Sequence, residues 1–123
     1  MEFDELSNRV IGCAIEVHRH LGPGLLESTY EQCLARELSL SNLPFRLQCP
    51  LPVVYKGLHL ECGYRVDLLI QDRLIVELKA VEKLTGIHQA QLLTYMRLSS
   101  IHIGLLINFN VPILHKGLRR FVL

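Results

Sequence analysis

Asp67 and the group Glu77-Leu78-Lys79 are the residues whose types and spacing could do chemistry. Glu77 and Lys79 are two positions apart in an apolar stretch with the pattern of a β-strand, so they project from the same face. Buried charge is unfavourable unless it is paired or binds a metal ion. Two carboxylates beside a lysine would suit Mg²⁺, which could polarise a phosphoryl oxygen and lower the pKa of bound water. Lys79 would orient or help deprotonate that water, or stabilise the charge of the transition state.

The length of the turn between two strands decides whether Asp67 faces Glu77. If residues 71–73 form a three-residue turn, Asp67 lies directly opposite Glu77 on the same face. A two-residue turn would place Val66 opposite Glu77, and Asp67 would point to the other side unless a bulge intervenes. The hydrophobic alternation of both strands favours the three-residue turn, because the two apolar faces then coincide.

A simpler interpretation of the same residues is a structural salt bridge. Asp67 and Glu77 would then pair with Lys79 or with Arg65 and do no chemistry. An aspartate followed by a Glu-X-Lys group occurs by chance in many strands, so the pattern alone leaves both interpretations open.

Two predicted helices carry polar residues that could support the group. A helix over about 85–99 would place His88, Gln91 and Tyr95 on one stripe near the Glu77 strand, because residues three and four apart share a helix face. Glu27 and Tyr30 open a second helix, just after the loop Gly22-Pro23-Gly24. The simpler interpretations are a solvated helix face for the stripe and a favourable helix dipole for Glu27.

The hydrophobic pattern predicts the order α-α-β-β-β-α-β, an α/β layered fold in one domain over residues 1–123. Pro50 and Pro52 make the first strand an edge or bulged strand, since proline cannot donate to a ladder. The apolar run 102–109 is typical of a buried parallel strand. The predicted elements are helices at about 4–21, 25–40 and 85–99, strands at about 45–55, 58–70, 73–81 and 102–109, and a short final strand within 116–123.

Composition excludes several classes of protein. The chain has 123 residues, half of them hydrophobic, and a net charge of +1, which argues against a non-specific DNA coat protein but allows a local nucleic-acid patch. Its apolar runs are far shorter than the roughly 20 residues that span a bilayer, so we expect no membrane association. The four cysteines form no CxxC pair and the first residues resemble no secretion signal. We therefore expect a cytoplasmic protein.

The segment GLLESTY, residues 24–30, matches the signature of the GxxExxY proteins, a group of the PD-(D/E)XK nuclease superfamily. The resemblance extends over nearly the whole chain. It runs in order through EVHRHLGPGLLESTYEQCLAREL, PLPVVYKG, YRVDLLI, LIVELKAVEKL, HQAQLLTYM and IGLLINF. Several independent motifs at matching spacing make chance similarity an inadequate explanation.

This resemblance implies a restriction-endonuclease-like core, α-β-β-β-α-β, with a mixed central sheet flanked by helices. It implies metal binding by Asp67, Glu77 and Glu27, with Glu27 reaching the ion directly or through water, and with Mg²⁺ as the expected ion and Mn²⁺ as a substitute. It implies a catalytic role for these three acids together with Lys79 and Gln91. The residues expected to contact substrate are Tyr95, His88 and Tyr30.

The predicted function is therefore a Mg²⁺-dependent nuclease acting on DNA or RNA. The alternative is a binding or accessory module that keeps the nuclease fold without turnover, which near-neutral charge and small size favour. With little basic surface, the chain is expected to bind nucleic acid as a homodimer or beside a recruiting protein partner.

Overall fold

The computed structural model describes residues 4–123. These residues form three helices and seven strands, and a short 3₁₀ turn over Leu114–Gly117 precedes the last strand. The helices are α1 (Glu5–Leu21), α2 (Glu27–Leu40) and α3 (Gly86–Ser99). The strands are β1 (Phe45–Pro50), β2 (Val53–Tyr55), β3 (Leu58–Leu60), β4 (Arg65–Ile70), β5 (Leu74–Lys79), β6 (Ile103–Asn108) and β7 (Leu118–Val122).

Five strands form one mixed sheet in the order β1-β4-β5-β6-β7. β5 and β6 are parallel and are joined through α3, as parallel neighbours require a crossover connection. The other three pairings are antiparallel. This arrangement confirms the predicted restriction-endonuclease-like core, including the edge position of β1 and the parallel pairing of β6.

A hairpin of β2 and β3 is inserted between β1 and β4 and forms a separate two-stranded sheet. The sequence pattern predicted one strand over 45–55 and one over 58–70. Both predictions were wrong, because each range is divided into two strands. Pro52 lacks an N–H and interrupts the first. Gly63 interrupts the second with a φ of 77°, a left-handed conformation that glycine adopts readily.

The sheet is covered on both faces. One hydrophobic cluster packs α1 and α2 against Leu74, Val76 and Leu78 of β5, and a second packs α3 against Ile75. Side chains alternate along a strand, so Glu77 and Lys79 belong to the α3 face. None of the helices within residues 4–123 is long and apolar enough to cross a bilayer.

The start of α1 is tied to the far edge of the sheet through Asp4. Its carboxylate caps the helix by accepting hydrogen bonds from the Ser7 N–H (3.0 Å) and hydroxyl (2.6 Å), and it also accepts one from Arg120 of β7 (2.6 Å). Burial opposes ionisation of Asp4, but the bonds from Ser7 and Arg120 outweigh it and lower its pKa to about 2. The carboxylate therefore stabilises both the helix end and the packing of α1 against the sheet.

Candidate active site

The turn between β4 and β5 has the length that brings the two acidic residues together. Ile70 pairs with Leu74 and Leu68 with Val76, which leaves residues 71–73 as the turn. Two of these three turn residues adopt positive φ. Continuing the register places Asp67 opposite Glu77, which is the three-residue alternative considered from the sequence.

β4 and β5 separate at this point, and the two carboxylates replace the backbone ladder. The N–H of Asp67 donates to Glu77 Oε1 at 2.9 Å, and the N–H of Leu78 donates to Asp67 Oδ2 at 2.9 Å. Both side chains thus lie in the gap between the strands. Each carboxylate accepts from the backbone of the strand opposite, so the strands themselves fix the position of the pair.

The Glu77 carboxyl is in an unfavourable environment for a charge. It is only 5 % exposed. Burial, and secondly the nearby charge of Asp67, raise its pKa to about 8, although the hydrogen bond from Asp67 N–H and the charge of Lys79 oppose the rise. At neutral pH the isolated protein therefore keeps a proton on Glu77. A divalent cation would favour the ionised form of both acids, so the donor set fits such an ion.

Lys79 lies at the end of β5 and lines a cleft of about 510 Å³ with residues of α3. His88, Gln91 and Tyr95 line the same cleft, as does Tyr64. The structure thus brings together the predicted polar stripe and the predicted lysine, on the face to which Glu77 also belongs.

The side chains of α3 in this cleft are partly ordered by one another. Gln91 Nε2 donates to the Tyr95 hydroxyl at 3.1 Å. Burial, with the charge of Glu77 second, raises the pKa of Tyr95, so its hydroxyl remains a hydrogen-bond donor at neutral pH. His88 Nδ1 accepts from the Thr85 N–H at 3.0 Å and completes a capping box at the start of α3.

The simple salt-bridge interpretation does not describe this site. Among residues 4–123, the ion pairs join Glu16 to Arg19 and His20, Arg46 to Asp72, and Asp4 to Arg120. Neither Asp67 nor Glu77 takes part in any of them. Arg65, one of the proposed partners, donates to the backbone carbonyl of Gln48 instead.

Glu27 lies on the opposite side of the carboxylate pair from α3. It is exposed in the first turn of α2 and shares a small cleft of about 140 Å³ with Asp67. Within residues 4–123, no three His, Cys, Asp or Glu side chains lie close enough together to hold a metal ion. The part of Glu27 in metal binding therefore stays a prediction.

Tyr30, which was expected to contact substrate, lies in the core of the protein. It is fully buried, its hydroxyl donates to the Gly22 carbonyl (2.6 Å) and accepts from the Leu25 N–H (3.2 Å), and its ring stacks on Phe109. A substrate cannot reach it, so the predicted contact with substrate is corrected to a structural role. Tyr30 fixes the loop that precedes α2 and thereby the position of Glu27.

Two residues of the Asp67 cleft were missed from the sequence. Gln48 Nε2 donates to Glu31 Oε1 (2.5 Å) and to Asp67 Oδ1 (3.3 Å), and both residues line the cleft. Glu31 follows Glu27 by four positions, so helical spacing could have indicated it. Gln48 is found only when the pairing of β1 with β4 is known.

A mixed five-stranded sheet between helices, with an aspartate opposite a Glu-X-Lys group at the end of two separating strands, defines a restriction-endonuclease-like protein. The family model described as the PD-(D/E)XK nuclease superfamily matches residues 4–121. The chain belongs to this superfamily. Searches of curated proteins and of solved structures gave no significant match.

Proposed function

We propose that this protein is a Mg²⁺-dependent nuclease that hydrolyses phosphodiester bonds of DNA or RNA. The observation that carries the proposal is the opposition of Asp67 and Glu77, with Lys79 two residues further along the same strand. Membership of the nuclease superfamily supports the same reaction class. At the finer level we assign the chain to the GxxExxY group, as one domain over residues 1–123 and located in the cytoplasm.

Asp67 and Glu77 would hold the divalent cation between them. Their fit rests on geometry, because backbone N–H groups hold both carboxylates in the gap between β4 and β5. Burial, which raises the pKa of Glu77, leaves this acid in need of a nearby positive charge to ionise. Glu27, across the small cleft, would contribute through a water molecule. When bound, Mg²⁺ or Mn²⁺ supplies Lewis-acid polarisation of a phosphoryl oxygen and a lowered pKa for water.

The residues of the α3 cleft would act on the substrate directly. The Lys79 ammonium would orient the attacking water or stabilise the negative charge that develops on the phosphoryl group. Gln91 and Tyr95 present an amide and a hydroxyl that would donate to phosphate oxygens. His88 would lie beside the same phosphate backbone, at the N-terminus of α3, where the helix dipole favours an anion.

A non-catalytic nucleic-acid-binding or accessory module is the alternative function. Two observations favour it: the net charge is only +1, and no three potential ligands converge within residues 4–123. Because electrostatic attraction supplies most non-specific affinity for nucleic acid, a homodimer or a recruiting partner would provide the missing basic surface.

Calorimetry with Mg²⁺ and Mn²⁺ on wild type and on Asp67→Ala tests the proposal. It is run beside cleavage assays on labelled single- and double-stranded DNA and RNA. Asp72→Asn is the matched control, because Asp72 lies in the adjoining turn and pairs with Arg46 on the surface. We expect metal binding and metal-dependent cleavage in wild type and the control, and loss of both in Asp67→Ala. A folded wild type without either property would favour the accessory module.

A further inference from the structure

Gln48 has an unusual backbone conformation for a residue inside a strand. Its φ is 50°, in the left-handed region, and it lies in the middle of β1. This region is unfavourable for residues with a Cβ, and glutamine is not among the types enriched there. Glycine would adopt the same conformation without strain. Such a conformation persists only where surrounding contacts offset its cost, so the contacts of the Gln48 side chain are of interest.

The side chain of Gln48 connects α2 with the acidic pair. Gln48 lies opposite Asp67, because the flanking residues Leu47 and Cys49 pair with Leu68 and Val66. Its amide group donates to Glu31 on α2 and to Oδ1 of Asp67. The other oxygen of Asp67, Oδ2, accepts from the Leu78 N–H. Both oxygens of this carboxylate are therefore oriented by a donor.

Both strands change the face that they bury at this position. Leu68 packs in the cluster of α1 and α2, whereas Val66, two residues earlier, packs in the cluster of α3. In a regular strand these two residues would share a face. Cys49, the partner of Val66, packs in the α3 cluster as well. The rotation at Gln48 and Asp67 gives the Asp67 side chain its place between β5 and the α2 cleft.

We propose that Gln48 is a positioning residue that holds the Asp67 carboxylate in the orientation for metal binding, with Glu31 as its anchor. The inference rests on the proposed function and deepens it. A neutral amide suits the task, because it orients the carboxylate without adding a positive charge that would compete with the cation. A lysine or arginine at this position would form an ion pair with Asp67 instead.

Gln48→Gly and Gln48→Asn test this inference. Both residues tolerate a left-handed φ, but glycine has no side chain and asparagine is one methylene too short to connect Glu31 with Asp67. We expect both variants to unfold at the same or a higher urea concentration than wild type. We expect Mn²⁺ affinity, measured by calorimetry, to fall about tenfold, because groups that orient a ligand typically contribute that much. Affinity within twofold of wild type in both variants would overturn the inference.

Substitutions of Glu31 separate anchoring from simple loss of charge. Glu31→Gln keeps an oxygen that accepts from Gln48, so we expect Mn²⁺ affinity within about threefold of wild type. Glu31→Ala removes the acceptor, and we expect a loss similar to that in Gln48→Gly. Equal losses in Glu31→Gln and Glu31→Ala would show that the charge, not the hydrogen bond, matters, and would overturn the anchoring role.

The Leu78 amide gives a readout that does not depend on metal binding or cleavage. Its acceptor is Asp67 Oδ2, so displacement of this carboxylate changes the amide resonance and its exchange with solvent. In metal-free Gln48→Gly we expect exchange of this amide to accelerate at least tenfold. Asn42→Gly, at another left-handed residue, is the control and should leave it unchanged. An unchanged Leu78 amide in Gln48→Gly would overturn the inference even if wild type proves to be an active nuclease.

Discussion

The backbone N–H of Asp67 donates a 2.9 Å hydrogen bond to the carboxylate of Glu77. The sheet, not the flexibility of two long side chains, therefore sets the distance between the two acidic groups. An arrangement fixed by backbone atoms is suited to a site that must hold an ion in defined geometry. It also keeps Glu77 buried and beside the charge of Asp67, and these two effects raise the pKa of Glu77 to about 8.

The raised pKa of Glu77 makes the stability of the metal-free protein depend on pH. The unfolded state releases the proton near the ordinary value of 4.5, whereas the folded state keeps it up to about pH 8. Below 4.5 both states are protonated and the contribution of Glu77 to stability is fully present. Between these values the free energy of unfolding falls as pH rises, by at most about 1.4 kcal/mol per unit. Above about 8 no further loss is expected.

Urea denaturation from pH 4 to 9 in the presence of a chelator measures this dependence. Glu77→Gln stays neutral at all pH values, so its free energy of unfolding should lack the decline and exceed that of wild type at pH 8. Asp72→Asn, in the exposed turn, should keep the wild-type slope. Identical slopes in wild type and Glu77→Gln would contradict the assignment.

Much of this site could be predicted from the sequence, because hydrophobic alternation and turn length together fix strand register. That reasoning gave the opposition of Asp67 and Glu77 and the helix that carries Gln91 and Tyr95. It could not give the rotation at Gln48, since a left-handed φ at glutamine has no counterpart in a pattern of apolar and polar residues. Local patterns alternate regularly, whereas the structure changes face between Val66 and Leu68.

Tertiary packing accounts for the other differences from expectation. Tyr30 looks like a polar residue near a candidate site, yet its ring fills the core beside Phe109 and its hydroxyl is satisfied by the backbone. The β2–β3 hairpin was hidden because its apolar residues continue the alternation of β4. Only the pairing partners of each strand distinguish one long strand from two short ones.

Lys79→Met should separate the chemical step from metal binding. Methionine keeps most of the apolar stem but removes the charge, so cleavage of whichever nucleic acid wild type hydrolyses should fall about 10²- to 10⁴-fold. Divalent-ion affinity should be retained or increased, because a nearby positive charge is removed. Rates and calorimetric affinities measured together check this expectation. Lys83→Met, at an exposed residue, is the control, and similar behaviour of the two variants would exclude a specific role for Lys79.

Asp4→Ala should destabilise the fold without touching the site. The substitution removes the cap of α1 and one hydrogen-bond partner of Arg120, and loss of a cap alone typically reduces the free energy of unfolding by about 1 kcal/mol. Since the pKa of Asp4 is lowered to about 2, its contribution is present above the ordinary value of 3.8 and is lost as pH falls towards 2. Urea denaturation at pH 7 and pH 3 measures both effects. Glu16→Ala, which breaks only exposed pairs, should have little effect, and an equal loss would contradict the capping role.

Tyr30→Phe distinguishes the structural role of this tyrosine from contact with substrate. The change keeps the ring against Phe109 but removes the hydroxyl that bonds to Gly22 and Leu25. We expect the free energy of unfolding to decrease by about 1–2 kcal/mol, because two hydrogen bonds of the buried Tyr30 hydroxyl are lost. The KM for nucleic acid should change less than about threefold. A small change is expected because the loop that Tyr30 holds also sets the position of Glu27.

Tyr95→Phe is the matched comparison, since it removes a hydroxyl from the proposed substrate cleft. That hydroxyl accepts one hydrogen bond, from the Gln91 amide, whereas the Tyr30 hydroxyl makes two. Loss of the Tyr95 hydroxyl should therefore change stability less than Tyr30→Phe does. If Tyr95 donates to the phosphate backbone, KM should rise about tenfold or more in this variant, as loss of about 1.4 kcal/mol of binding implies. A Tyr30→Phe protein of normal stability with a raised KM would contradict the structural role of Tyr30, because its hydroxyl would then act on substrate and not on the loop before α2.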